Sequence, residues 1–303
     1  LQVREGEGHP DWFVDIALDD ADFKRADETQ ASIREVDLNL AAAVRDVDFD
    51  RELKASDLAL KILSAKVTDM STFNGFLPPD GSLQFTGGTA DLTADIALQP
   101  DDADGWLRLD STAVEASAGQ QLVSGDISVE ILLVDGVPAQ RVFDFSGSQL
   151  RLDKVRVQGE DEQFKRDDWS AVFQLPRAEA MLSRPARLDI EASLLISDSR
   201  PIVAMFENQG KRPEFLSRML TIEDIEGSAK LRVADEQLKI VHAHALSDKV
   251  EIGAKCTIAR DDRDAVLYFR YKKADGLLKF KGESKNLDVI DVREKFDTYQ
   301  VTP

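Results

Sequence analysis

His242 and His244 stand two residues apart, so both imidazoles fall on one face of a strand, where they could share a zinc ion if a third ligand arrived. Only His9 remains among the histidines, and no spacing marks it as that ligand. Asp101, Asp102, Asp104 and Gly105 have the flavour of a calcium loop. Setting Gly105 at the sixth position of such a loop puts Pro100 first and Ser111 twelfth, where carboxylates are required, so a solvated turn fits better. Ser146, in FDFSGS, lacks the glycine-flanked elbow that raises a nucleophile, and KGESK at 281–285 lacks the spacing of a phosphate loop. Carboxylates are spread along the whole chain, so no two of them single themselves out as an acid and base. No catalytic residue, metal site or cofactor is nominated.

Composition narrows the partners. The chain has 303 residues, with 57 acidic against 38 basic side chains and a net charge of -19, which repels a phosphate backbone. Nucleic acid is a poor partner. The single cysteine, Cys256, cannot close an internal disulfide and fixes no compartment. No window approaches the roughly 18 apolar residues of a spanning helix, and the opening LQVREGEGHP has no signal-like basic and apolar regions. A membrane anchor, if the protein has one, is expected outside this sequence.

The elements that would position any site are strands. Apolar residues alternate at Val36, Leu38 and Leu40, at Leu92, Ala94, Ile96 and Leu98, and at Ile127, Val129, Ile131 and Leu133. The pattern returns at Leu188, Ile190, Ala192 and Leu194 and at Val250, Ile252, Ala254, Cys256 and Ile258. A period of two reads as strands oily on one side and wet on the other. Asp80-Gly81, Asp104-Gly105, Asp135-Gly136 and Asp275-Gly276 supply turns between them, so the simplest reading is a long antiparallel meander. Within Leu83–Leu98 the apolar parity changes from odd to even at Gly87-Gly88, where a hairpin or bulge would keep both sets on one face. Two short helices are expected in the stretch from Ser197 to Leu220, with Asp198 or Ser199 as cap. The tail LDVIDVREKFDTY fits either a terminal helical turn or an edge strand. No linker or composition shift divides the chain, so residues 1–303 are expected to form a single elongated β-rich domain.

A half-oily sheet with little helix to cover it must pack on a second sheet, close on itself, or curl around a ligand. In the third case Phe85, Ile96, Leu109 and Ile131 would line an apolar trough, together with Phe143, Leu152, Ile190 and Ile252. Such a trough accepts acyl chains without any catalytic motif. Between Lys249 and Lys285 ten basic residues face six acidic ones, and Lys272, Lys273, Lys279 and Lys281 are candidates to meet lipid headgroups or an acidic partner. Edge-strand lysines that discourage aggregation are the plainer account of them.

The succession FNGFLPPDGSLQFTGGTADLTADIAL, DGWLRLDSTAVEA, GDISVEILL, FDFSGSQLRLDKVRVQG, WSAVFQLPRAEA, ARLDIEASLLISDSRPIVAMF and FLSRMLTIEDIEGSAKLRVADEQLKI resembles the periplasmic region of AsmA-like and TamB-like proteins, over roughly residues 36–285. The resemblance implies a mainly β fold: a long antiparallel curled sheet, a taco-like β-groove, with a short helical insertion near 199–220. It also implies a non-enzymatic Gram-negative envelope protein in the periplasm, tethered to the inner membrane by an anchor beyond this chain. Its groove would bind or conduct phospholipid or other acyl-chain lipid between inner and outer membrane. The alternative is a scaffold that assists outer-membrane protein assembly by strand-edge pairing, with outer-membrane assembly factors as partners.

Overall fold

The computed structural model describes residues 2–4, 11–23, 32–44, 57–77, 83–118, 121–158, 163–165, 168–183, 185–201, 222–234, 237–259, 263–272, 274–282 and 284–301. The fold is mainly β, antiparallel and curled, and it is not closed into a barrel. Contacts divide the chain into two compact units, Leu1–Ala118 with Leu122–Ser148, and Gln149–Pro303 with Gly119–Gln121.

Unit one is a meander of β1 (Gln2–Arg4), β2 (Asp11–Phe23), β3 (Ile33–Val44), β4 (Asp57–Val67), β5 (Leu83–Leu98) and β6 (Ala103–Ala118), each antiparallel to the next. β7 (Gln121–Leu133) and the small hairpin of β8 (Asp135–Val137) and β9 (Val142–Asp144) follow. Directly paired residues share a face, so the row Leu18, Leu38, Ile62, Ala94, Leu107 and the row Ile16, Leu40, Leu60, Ile96, Gly105 belong to one apolar side. The expected parity change in β5 is absorbed by a bulge. The register shifts between Phe85 and Gly87 and again before Thr89, Gly88 takes a φ of 109°, and the strand continues unbroken. A Cβ on Gly88 would come within 2.6 Å of the Val114 backbone, so glycine alone fits there.

A 3-10 turn, Met70–Phe76, closes one end of this apolar side. Asp69 caps it by accepting from the Ser71 amide at 2.8 Å. The Asn74 side chain both donates to the Phe85 carbonyl and accepts from the Phe85 amide, at 2.9 and 2.8 Å, which stitches the turn to β5. Met70 then buries against Val67, Ala90, Leu109 and Val114, with Phe73, Phe85 and Leu92 packed around them.

Unit two opens with β10 (Gln149–Gln158), which pairs with β11 (Gln163–Lys165) and β12 (Ser170–Met181). The meander continues through β13 (Arg187–Asp198), β14 (Glu223–Ala234), β15 (Gln237–Leu246), β16 (Val250–Ile258), β17 (Arg263–Tyr271), β18 (Ala274–Lys281) and β19 (Ser284–Asp288). Two more bulges preserve facing. One lies between Gln174 and Arg177, around Pro176, which lacks a ladder donor. The other lies between Ile240 and Ala243. The helical insertion expected near 199–220 lies outside the described residues except at its start, where Arg200 and Pro201 are helical. The tail is both things expected of it: β19 ends at Asp288 and α1 (Val292–Thr298) follows.

α1 docks on the face that carries Glu251, Gly253, Lys255, Val266, Tyr268 and Leu277. Val292 and Phe296 are buried against that face. Gly253 leaves the space that Phe296 fills, since a Cβ there would lie 2.7 Å from the ring. Lys255 donates to the carbonyls of Phe296, Asp297 and Tyr299 at 2.8, 3.0 and 3.1 Å, a cation at the negative end of the helix. Gly253→Val should therefore overpack the contact and cost about 1–3 kcal/mol in chemical denaturation, with amide exchange rising first at residues 292–301. Phe296→Ala should cost about 3–5 kcal/mol by leaving the same space empty.

Candidate apolar binding face

In unit two the face opposite α1 is oily from strand to strand. The pairings align Ile190, Leu231, Ile240, Cys256, Ala265 and Phe280 in one row across β13 to β18. The next row reads Ala192, Ala229, Ala243, Ala254, Leu267, Leu278 and Leu287. A third reads Leu194, Gly227, Ala245, Ile252, Phe269 and Gly276. Four consecutive alanines in the middle row leave a furrow across the strands, about 14 Å long at the usual strand spacing. Ile190, Leu231 and Ile240 form one wall of it. From β13 to β18 these side chains are half-buried, with Leu287 at the end of the middle row exposed, whereas Val266, Tyr268 and Leu277, fully buried, lie beneath α1.

The other face is wet. Lys230 pairs with Glu191 at 2.8 Å and Arg232 with Asp189 at 2.9 Å, each directly across the β13–β14 ladder, and Arg177 meets Glu179 at 2.9 Å. Such exposed pairs add little stability, but they fix which face is hydrated. Unit one repeats the division, with Lys61 and Asp95 3.0 Å apart on its polar side. That side also holds a shallow open depression of about 170 Å³, floored by Ala41, Ala43, Ala59 and Ala97 beside Phe13 and Asp15.

The nominated residues distribute unevenly. Ile190 and Ile252 lie in the rows above, and Leu152 faces Ala171, which in turn faces Ile196, so all three share the apolar side of unit two. Ile96 occupies the corresponding side of unit one, between Leu60 and Gly105. Phe85 and Leu109 belong instead to the core packed under the 3-10 turn, where the chain fills its own interior. Ile131 is 42% exposed, and Phe143 lies across from Gly136 with its ring 6.2 Å from that of Phe145. Leu231, Ile240, Leu267 and Leu278 were not nominated, although they line the apolar rows; the bulge after Ile240 hides the parity that would have revealed the β15 members.

The four lysines do not gather. Lys279 points to the α1 side and binds Asp288 at 2.9 Å, while Lys281 sits at the β18–β19 turn, the end opposite Lys272. Lys273 lies outside the described residues. His242 and His244 do share a face, their rings stacked 6.2 Å apart, but that face is the one α1 covers. His244 Nε2 lies 3.0 Å from Glu251 Oε1, and among the described residues no group of three ligands surrounds the pair.

Glu251, 7% exposed, is the electrostatic centre beneath α1. Arg270 reaches it at 2.5 Å and Arg293 of α1 hydrogen-bonds it from above. Burial pushes its carboxyl up, but hydrogen bonds from Arg293 and His244 and the charges of Arg293 and Arg270 hold it below its ordinary value of 4.5. Burial pushes the Cys256 thiol up, with Asp264 adding to the effect.

No family model, curated protein or solved structure matches the chain. The site therefore stands on its own geometry.

A carboxyl lowered by folding stabilises the folded state fully above 4.5, and that contribution is lost as pH falls through the lowered value. Amide exchange at residues 292–301, once corrected for intrinsic rates, should begin to rise as pH falls through 6.5, where His242 beside Phe296 carries a pKa lowered by burial, and rise in a second step below about 4.5 as Glu251 protonates. Glu251→Gln should remove that acid step and raise exchange at neutral pH.

Proposed function

We propose that the chain is a non-enzymatic lipid-binding protein of the AsmA-like and TamB-like kind, working in a Gram-negative envelope, whose apolar sheet face holds acyl chains. One observation carries this reading: in unit two the helix covers the mixed, charged face, while the rows from Ile190 to Phe280 and from Ala192 to Leu287 remain half-open. A sheet that only needed a core would place its helix on the oily side. An acyl chain lying in the alanine furrow contacts aliphatic walls on both flanks. Each methylene moved from water contributes about 0.8 kcal/mol, so a 16-carbon chain offers on the order of 12 kcal/mol before the entropy of binding is subtracted. That suffices for retention without a polar contact, in keeping with the lack of a candidate catalytic constellation in the sequence.

The face also explains why the bulges sit where they do. A strand that lost parity would turn polar side chains into the furrow and break the continuity a sliding chain needs. Lipid sliding from strand to strand across this face is the transport step we assign to it.

Native mass spectrometry of protein purified from a Gram-negative host should find phospholipid bound, and extraction should recover it. Ala229→Phe with Ala243→Phe should fill the furrow and cut bound lipid at least about fivefold while the fold, read by circular dichroism, persists. Repeated lipid-free preparations of the unaltered protein would overturn the reading.

A further inference from the structure

One end of unit two exposes aliphatic side chains that no fold requires there. Val289 is 65% and Ile290 68% exposed, in the connection between β19 and α1, beside Leu287 at 60%. The register places them with the turns of neighbouring strands. Leu277 pairs with Asp288, so Val289 and Ile290 continue toward Gly276 and Asp275, and Asp275 pairs with Arg270. The Lys272 amide donates to the Lys249 carbonyl at 3.0 Å, which brings the β17–β18 and β15–β16 turns together at this same end. Leu246, 44% exposed, closes β15 there.

The chemistry of this end is interfacial. Lys272 lies with its ammonium 5.3 Å from the centre of the Tyr271 ring, a cation over an aromatic face. Lys249 and Lys272 occupy the two turns, and Lys273 follows in sequence. Asp248, 3.7 Å from Lys249, is the acidic residue of those turns; at the same end Asp275 pairs across from Arg270, and Asp288, bound to Lys279, and the exposed Asp291 bracket Val289 and Ile290. On a chain of net charge -19, turns with more lysine than carboxylate stand out. Aliphatic tips, a tyrosine and lysines that can reach upward match the layered chemistry of a bilayer surface.

We propose that this end docks on a bilayer carrying anionic headgroups, with Val289 and Ile290 entering the acyl boundary and Lys249 and Lys272 lying over the phosphates. The proposal rests on the lipid-binding reading above, since it supplies the membrane from which the apolar face would draw its chain. Leu287, the last member of the alanine row, adjoins the docked tip.

Vesicle flotation tests it with the intact chain. The probes are phosphatidylcholine vesicles with and without about one-third phosphatidylglycerol, at low and high salt. The unaltered protein should float with the anionic vesicles, and less so as salt rises. Val289→Ser with Ile290→Ser should weaken binding on the order of tenfold, and Lys249→Glu with Lys272→Glu should do so on the order of 30-fold. Leu195→Ser, at a leucine 51% exposed on the polar face of β13, should change nothing. Absence of flotation with either vesicle, or flotation unaltered in both double variants, would overturn the proposal. Protein that carries co-purified phospholipid yet never floats would refute the docking alone; protein that floats but carries no lipid would refute the binding face alone. Binding by the tip residues to an immobilised protein partner but not to vesicles would replace the bilayer with a protein surface.

Discussion

Everything in this fold depends on facing. In an antiparallel ladder two residues directly across from each other point to the same side, so one apolar residue per strand, repeated through five to seven strands, produces a continuous oily surface. A slip of one residue in any strand would turn its whole apolar set outward. The bulges after Phe85, Gln174 and Ile240 prevent that outcome where the sequence parity changes. They serve the surface more than the strands, since each gives up ladder hydrogen bonds to keep a row intact.

The two units spend their extra elements differently. In unit one a 3-10 turn clamped by Asn74 fills the apolar side at one end, and Leu109 becomes ordinary core. In unit two the helix goes to the charged side, held by Lys255 under its last turn and by the Arg293–Glu251 contact. Gly253 is the residue that permits it, because any side chain there would meet Phe296. Among the described residues the oily rows of β14 to β18 stay half-open, while the same side is buried toward β12 at Ala171, Ala178 and Ala180.

Much of this was legible in the sequence. Alternation at Leu92–Leu98, Leu188–Leu194 and Val250–Ile258 named strands that the structure contains, and Gly87-Gly88 marked a hairpin or a bulge, of which the structure has the bulge. The bulge in β15 was not legible, because IVHAHA carries no glycine and its alanines and valine suit either parity. Phe85 and Leu109 were indistinguishable from trough residues for the same reason that inward side chains always are: alternation reports which side a residue faces, and the occupant of that side leaves no mark in it. The grip of Lys255 and Glu251 on α1 joins residues about forty positions apart and had no local signature.

The central claim is that a lipid chain lies against one face of β14 and not the other. A photo-crosslinking side chain placed in turn at residues 228 through 233, in protein supplied with bilayer lipid, tests it directly. The account predicts a period of two, with crosslinks to lipid from positions 229, 231 and 233 and none from 228, 230 and 232. Equal labelling at all six positions, or labelling confined to the polar set, would contradict it.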